Sequence, residues 1–261
     1  MMLHHSHHPA PRHSAPTLLL IHPMGASLSF WDACLPAWKE AAGTLAVDLR
    51  GAGGSPFDGA PLTLTDHVAD LEALRASLGV TRIVPVACAV GCMVAASYAA
   101  RYPQHVAAMV LSNPTARTAD PARTMLQARA AAVRQGGMAA ILPAAVDRPF
   151  EAQPRDARYN AYFAAFAAQD PVAYAASVEG FAMADASAAL AKVACPTLLV
   201  PAAHDLLLPP TLAEEVAALM PPGLAQIALD PVGAHFLPYQ RPADFAERVL
   251  AFLGLDYLQG E

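Results

Sequence analysis

The sequence predicts an α/β fold in which a mostly parallel central sheet is flanked by helices and a helical cap is inserted between two strands. Three observations carry this expectation. Runs such as Thr17-Leu18-Leu19-Leu20-Ile21 are continuously apolar, the pattern of strands buried on both faces. Such runs alternate with helical patterns at the spacing of parallel strand–helix units. Between about Thr118 and Ala189 the strand-like runs vanish, and an alanine-rich helical texture replaces them.

Taken in order, the strand at 17–21 leads into the loop His22-Pro23-Met24-Gly25-Ala26-Ser27 and a helix around Phe30 to Ala42. A strand over Thr44 to Val47 ends in the glycine-rich turn Asp48-Leu49-Arg50-Gly51-Ala52-Gly53-Gly54-Ser55. Val68, Leu71, Leu74 and Leu78 fall on one helical face, opened by a Thr63 or Thr65 cap and closed by Gly79. Ile83 to Cys92 reads as a buried strand passing through a sharp turn into a helix. The next strand, Ala108 to Leu111, ends at Ser112-Asn113-Pro114. Beyond the helical block the sheet resumes at Cys195-Pro196-Thr197-Leu198-Leu199-Val200. A helix at 211–220, a strand at 225–229 and a last helix from Pro242 to Phe252 follow. About eight strands are expected in all. The expected division is a flexible tail over 1–16, a core made of 17–117 and 190–261, and the cap over 118–189.

A chain of 261 residues suffices for one large domain with such an insertion. It is 55% hydrophobic with a mean hydropathy of +0.33, which raises the question of a membrane span. The long charge-free run between Arg82 and Arg101 contains Pro85, Gly91 and the β-rich Ile83, Val84 and Val86, so it reads as strand, turn and buried helix. A net charge of −6 without Lys/Arg runs argues against nucleic acid as a partner. Cys34, Cys88, Cys92 and Cys195 show neither metal-ligand spacing nor scaffold density, which points to reduced thiols in a cytoplasm. Met1 to Pro16 lacks the apolar stretch of a signal peptide. Its His4, His5, His7, His8 and His13 read as part of a solvated tail rather than a metal site. No cofactor is implied, the expected ligand is a small molecule, and nothing in the pattern encodes an oligomeric state.

The chemistry concentrates around one sharp turn. Ala87-Cys88-Ala89-Val90-Gly91 has the layout G-x-S-x-G, with Ala87 and Gly91 as the small residues and Ala89 at the apex. An apex hydroxyl attacks a carbonyl; a methyl group cannot. Downstream, Asp205 follows a buried strand in Ala203-His204-Asp205, and His235 ends Gly233-Ala234-His235. Taken singly, Asp205 reads as an Asx-turn residue and His235 as a loop histidine. Beside the turn at Ala89 they read as an acid and a base of one site. Cys88 has the chemistry of a nucleophile, but a side chain one position before the apex leaves the turn in another direction, so it reads as a packing thiol.

With His22-Pro23-Met24-Gly25, Asp48-Leu49-Arg50-Gly51-Ala52-Gly53, the turn at Ala89, Ala203-His204-Asp205 with Pro209, and Gly233-Ala234-His235 in this order, the chain resembles the α/β-hydrolase superfamily over nearly its whole length. Within it, the chain is most similar to the 3-oxoadipate enol-lactonase-like branch, which implies a setting in aromatic catabolism. The resemblance implies that Asp205 orients His235, that His235 is the general base, and that the backbone N–H groups of Met24 and Val90 form an oxyanion hole. His22 and Ser112 are expected to line the substrate pocket. Enzymes of this branch act on small acids, so a cap guanidinium would hold a carboxylate. Arg134 and Arg148 are the candidates among Arg123, Arg129, Arg134, Arg148, Arg155 and Arg158.

Three readings fit an alanine apex. In the first, the His235–Asp205 dyad works on a small lactone, ester or β-keto/enol-type compound without covalent catalysis. In the second, a serine was replaced in the laboratory to trap a complex, and the parent is an ordinary serine hydrolase. In the third, the chain is a small-molecule receptor that keeps the pocket without the reaction.

Overall fold

Seven strands form a single sheet in the computed structural model, which describes residues 2–12, 15–60, 62–151 and 153–255. They are β1 (His5–His8), β2 (Thr17–Ile21), β3 (Gly43–Val47), β4 (Ile83–Cys88), β5 (Met109–Ser112), β6 (Thr197–Val200) and β7 (Ala225–Ile227). Their order is β1-β3-β2-β4-β5-β6-β7, and every neighbouring pair is parallel except β1 with β3. The helices before the 118–189 block are α1 (Leu35–Lys39), α2 (Leu64–Ser77) and α3 (Gly91–Arg101). The block holds α4 (Asp120–Gly136), α5 (Ala144–Asp147), α6 (Ala157–Ala167) and α7 (Pro171–Ala182), while α8 (Ser187–Leu190) straddles its end. The chain then adds α9 (Thr211–Leu219), α10 (Leu237–Gln240) and α11 (Pro242–Leu253).

The apolar runs do what their continuity requires. Leu18, Leu20, Val84, Val86, Val110 and Leu198 enter the core on one face of the sheet. Leu19, Ile21, Ile83, Met109 and Leu111 enter the core on the other. Successive side chains of a strand point to opposite faces, so a strand covered on both sides needs every position apolar. Helix α2 begins where expected: the Thr63 side chain accepts from Asp66 N–H, and Asp66 accepts in return from Thr63 N–H.

The N-terminal segment departs from the expected tail. His5 to His8 pair antiparallel with Val47 to Thr44, Leu3 is buried, and His4 Nδ1 lies 2.6 Å from the buried carboxylate of Asp48. That carboxylate also accepts from Leu28 N–H at 2.6 Å and Gly54 N–H at 2.8 Å. The histidine run hides an edge strand because backbone pairing at a sheet edge makes no demand for apolar alternation. His13 lies outside the described residues. Seven strands replace the expected eight, and the last ends at Ile227 rather than 229.

Among the described residues the segment between β5 and β6 holds no strand. It leaves and re-enters the sheet layer at one place: Thr118 N–H donates to Ala184 O, and Ala186 N–H donates to Ala116 O. Helix α7 packs its Phe181 ring flat on the His67 ring of α2, with centroids 5.5 Å apart and planes 14° apart. His67 is 1% exposed, and neither ring nitrogen has a partner among the described residues. Burial lowers its pKa from 6.5 to about 4, against the smaller upward pull of Asp70. The folded state therefore binds fewer protons than the unfolded chain between these values. Stability is fully kept above pH 6.5 and lost as pH falls toward 4, by up to about 3 kcal/mol. Urea unfolding at pH 6.5 and 5 should show the native chain losing about 2 kcal/mol more than His67→Phe. Equal losses would mean that the ring is solvated in solution.

Candidate active site

Strand β4 ends at Cys88, and the chain turns through Ala89 at φ +51° into α3. A left-handed alanine is strained by roughly 1–2 kcal/mol, so the turn is imposed by its surroundings. Ala89 N–H is held by Ser112 O at 3.0 Å, and Cys92 N–H returns to Ala89 O at 3.0 Å. Gly91 has no side chain for a plain reason: a Cβ there would sit 2.9 Å from His22 O and 3.0 Å from Ile21 O. The sharp strand–turn–helix expected around Ala89 is present, with a methyl group at its apex.

Asp205 and His235 come together, with the His235 carbonyl 3.7 Å from the thiol of Cys88, the residue before the turn. His235 Nδ1 lies 2.9 and 3.1 Å from the two carboxylate oxygens. Asp205 Oδ1 also accepts from Leu207 N–H at 2.8 Å and Leu208 N–H at 2.9 Å. The Asp205 side chain is 0% exposed and that of His235 11%. A carboxylate only accepts, so Nδ1 carries the proton of this contact and Nε2 is the nitrogen left for other partners. Among the described residues, neither Met24 N–H nor Val90 N–H donates to a protein acceptor, and Val90 opens α3 at its positive dipole end.

Asn113 holds the pair in place. It is the other non-glycine residue with positive φ (+46°) among those described, and it is fully buried. Its Nδ2 donates to Ala234 O and His235 O, both at 2.8 Å, and its Oδ1 accepts from Ala202 N–H at 2.7 Å. One side chain thus ties the histidine loop to the end of β6. The signal available in the sequence was an asparagine, which tolerates this backbone region, at a strand end.

Other expected contacts fall elsewhere. His22 is buried and spends both nitrogens on the backbone: Nδ1 donates to Pro23 O at 2.8 Å, and Nε2 accepts from Leu49 N–H at 3.0 Å. It braces the loop and does not face a ligand. Ser112 lies beneath the turn, fully buried, its hydroxyl unpartnered among the described residues. Arg134 pairs with Glu179 at 2.8 and 2.9 Å on the outer surface, and Arg148 borders a separate surface hollow with Phe150 and Arg155. A helical sequence does not reveal which face points inward, which is why these two arginines were misplaced. Cys88 is buried with its thiol 3.7 Å from His235 O, and burial pushes that thiol far above the ordinary range. A thiolate there is inaccessible.

A cavity of about 760 Å³ opens between helix α6, the 25–33 loop and the 51–57 turn. Its lining includes Tyr162, Gly25 and Gln169 but neither Ala89, which is 3% exposed, nor His235. The Tyr162 ring stands 4.9 Å from that of Phe236, which in turn stands 4.9 Å from the His235 ring. An aromatic layer therefore separates the open cleft from the dyad. Burial pushes the Tyr162 and Tyr174 hydroxyls up, and the Arg129 guanidinium of α4 opposes it on both. Among the described residues Arg129 forms no ion pair with a carboxylate.

This arrangement, a mostly parallel sheet with a sharp turn after β4, an acid after β6 and a histidine after β7, defines the α/β-hydrolase class. The chain belongs to the alpha/beta hydrolase fold family, whose pattern matches residues 16–242. Its relatives include RutD of Klebsiella pneumoniae (strain 342), which bears the name of a carbamate hydrolase and is 29% identical over 244 residues, 87% of each chain. The enol-lactonase from Burkholderia xenovorans LB400 superposes with a TM-score of 0.89 at 25% identity, covering 97% of this chain and 96% of that one. A hydrolase from Pseudomonas aeruginosa PA01 superposes with a TM-score of 0.87 at 27% identity, covering 97% and 94%. No helix among the described residues is long and apolar enough to cross a membrane.

Proposed function

We propose that this chain is a hydrolase-like enzyme in which His235, oriented by Asp205, activates water against a small lactone, ester or carbamate. The observation that carries this reading is the buried Asp205–His235 pair, its carboxylate held by two backbone N–H groups, in a chain whose sharp turn carries no nucleophile at its apex. A pure binding protein has no need of an oriented base. In the reaction, water gives its proton to His235 Nε2 while its oxygen adds to the carbonyl carbon. The resulting oxyanion is collected by the Met24 and Val90 N–H groups, and collapse of the adduct expels the leaving group, which takes the proton back from His235. The similarity to an enol-lactonase and to a named carbamate hydrolase supports an acyl substrate of this size. Among the described residues Arg129 of α4 forms no ion pair with a carboxylate, so a guanidinium of the insertion remains for a substrate carboxylate.

Turnover of such substrates should fall about 10²–10⁴-fold in His235→Ala, the usual contribution of a positioned base, and less than about tenfold in Cys88→Ala. Steady-state rates of both variants on a panel of lactones and carbamates check this. Turnover lost with the thiol and kept without the imidazole would overturn the assignment.

A further inference from the structure

The loop that carries the Met24 N–H is gripped from two sides. It is a tight turn closed by Ala26 N–H on Pro23 O at 3.2 Å, with Gly25 at φ +79°. From the sheet side, His22 holds Pro23 O as described. From the opposite side, the Gly25 carbonyl accepts two hydrogen bonds from the helical insertion: Gln169 Nε2 at 2.7 Å and Tyr162 OH at 3.3 Å. Contact is so close that a Cβ at Gly25 would lie 2.5 Å from the Phe166 ring. Gln169 is itself fixed. Its N–H donates to Phe166 O at the end of α6, and the next residue, Asp170, caps α7 by accepting from Ala173 N–H at 2.7 Å.

We infer that Gln169 is a positioning residue of the oxyanion hole: by holding the Gly25 carbonyl it fixes the Gly25–Ala26 peptide plane, whose Ala26 N–H bonds Pro23 O, the carbonyl that shares a plane with Met24 N–H, so the insertion builds the site that it overlies. Tyr162 adds a longer, weaker second grip. The inference rests on the reading of Met24 N–H as one half of the hole. It does not require that the native chain turn anything over. A donor in such a hole contributes about 10²–10³ to the rate only when aimed at the developing charge, and a turn held at one end alone loses that aim.

The test reads the hole directly, in an Ala89→Ser background. With phenylboronic acid the introduced hydroxyl adds to boron, His235 takes its proton, and an oxygen of the tetrahedral boronate occupies the hole. Gln169→Ala should weaken boronate binding by about tenfold. Gln169→Glu, equal in size but without the donor, should weaken it at least as much, and Tyr162→Phe less. Benzamide, which forms no tetrahedral adduct, should bind all four proteins alike. Unchanged boronate affinity in both Gln169 variants would overturn the inference, as would parallel losses for boronate and benzamide. A lower melting temperature with intact boronate affinity would likewise mean that Gln169 only supports the fold. If the native chain proves to have no turnover in the His235 experiment, the boronate result still stands or falls on its own.

Discussion

Ala89→Ser is expected to raise hydrolysis of a small chromogenic acetate ester by about 10³–10⁶-fold, since removal of the nucleophile from a complete serine site typically removes about 10⁶. The backbone at 89 already holds the left-handed geometry that presents an apex side chain, and the dyad is already buried and bonded. Two N–H groups without protein acceptors stand at Met24 and Val90 among the described residues. On the proposed reading, the part still to be supplied is the hydroxyl. Stopped-flow measurement should show a burst equal to the enzyme concentration, marking an acyl-enzyme that the native chain cannot form. Equal rates in the two proteins would mean that the turn does not aim its apex at His235.

Asn113→Ala should destabilise the fold by at least about 3 kcal/mol, because it removes a partner from three buried groups, each worth about 1–3 kcal/mol when unpaired. These are Ala202 N–H, Ala234 O and His235 O. Asn113→Asp keeps the acceptor and loses both donors, so it should fail as badly. Ser112→Ala, one residue away and equally buried, should be close to neutral, because that hydroxyl has no partner to lose among the described residues. Urea midpoints for the three variants check the contrast. A small effect at 113 would show that water replaces the amide.

Much of the architecture was legible because it follows from periodicity. Thr17 to Ile21 could only be a strand covered on both faces, and the short motifs locate the turn at Ala89 and the loops of Asp205 and His235. Legibility failed where direction matters more than residue type. His22 and Ser112 stand beside the site in sequence, yet their side chains point into the scaffold. Arg134 and Arg148 sit on outward faces, which residue type alone does not reveal. Gln169 left no trace at all, since a glutamine between two helices reads as a solvated linker. The histidines of β1 failed for the opposite reason: their side chains suggest a tail, and only backbone pairing makes them a strand.

The paired ends of the helical insertion have an evolutionary consequence. Because residues 116–118 and 184–186 meet, the segment between them hangs from the sheet by a single neck, the arrangement in which inserted units are gained, exchanged or reshaped with little disturbance to their host. Its underside is a different matter. Gln169, Tyr162 and Phe166 all bear on Gly25, so drift in that face reaches the loop that the host's chemistry depends on. A lineage could therefore change the reaction this scaffold performs without altering one residue of the sheet, by exchanging the unit that leans on it.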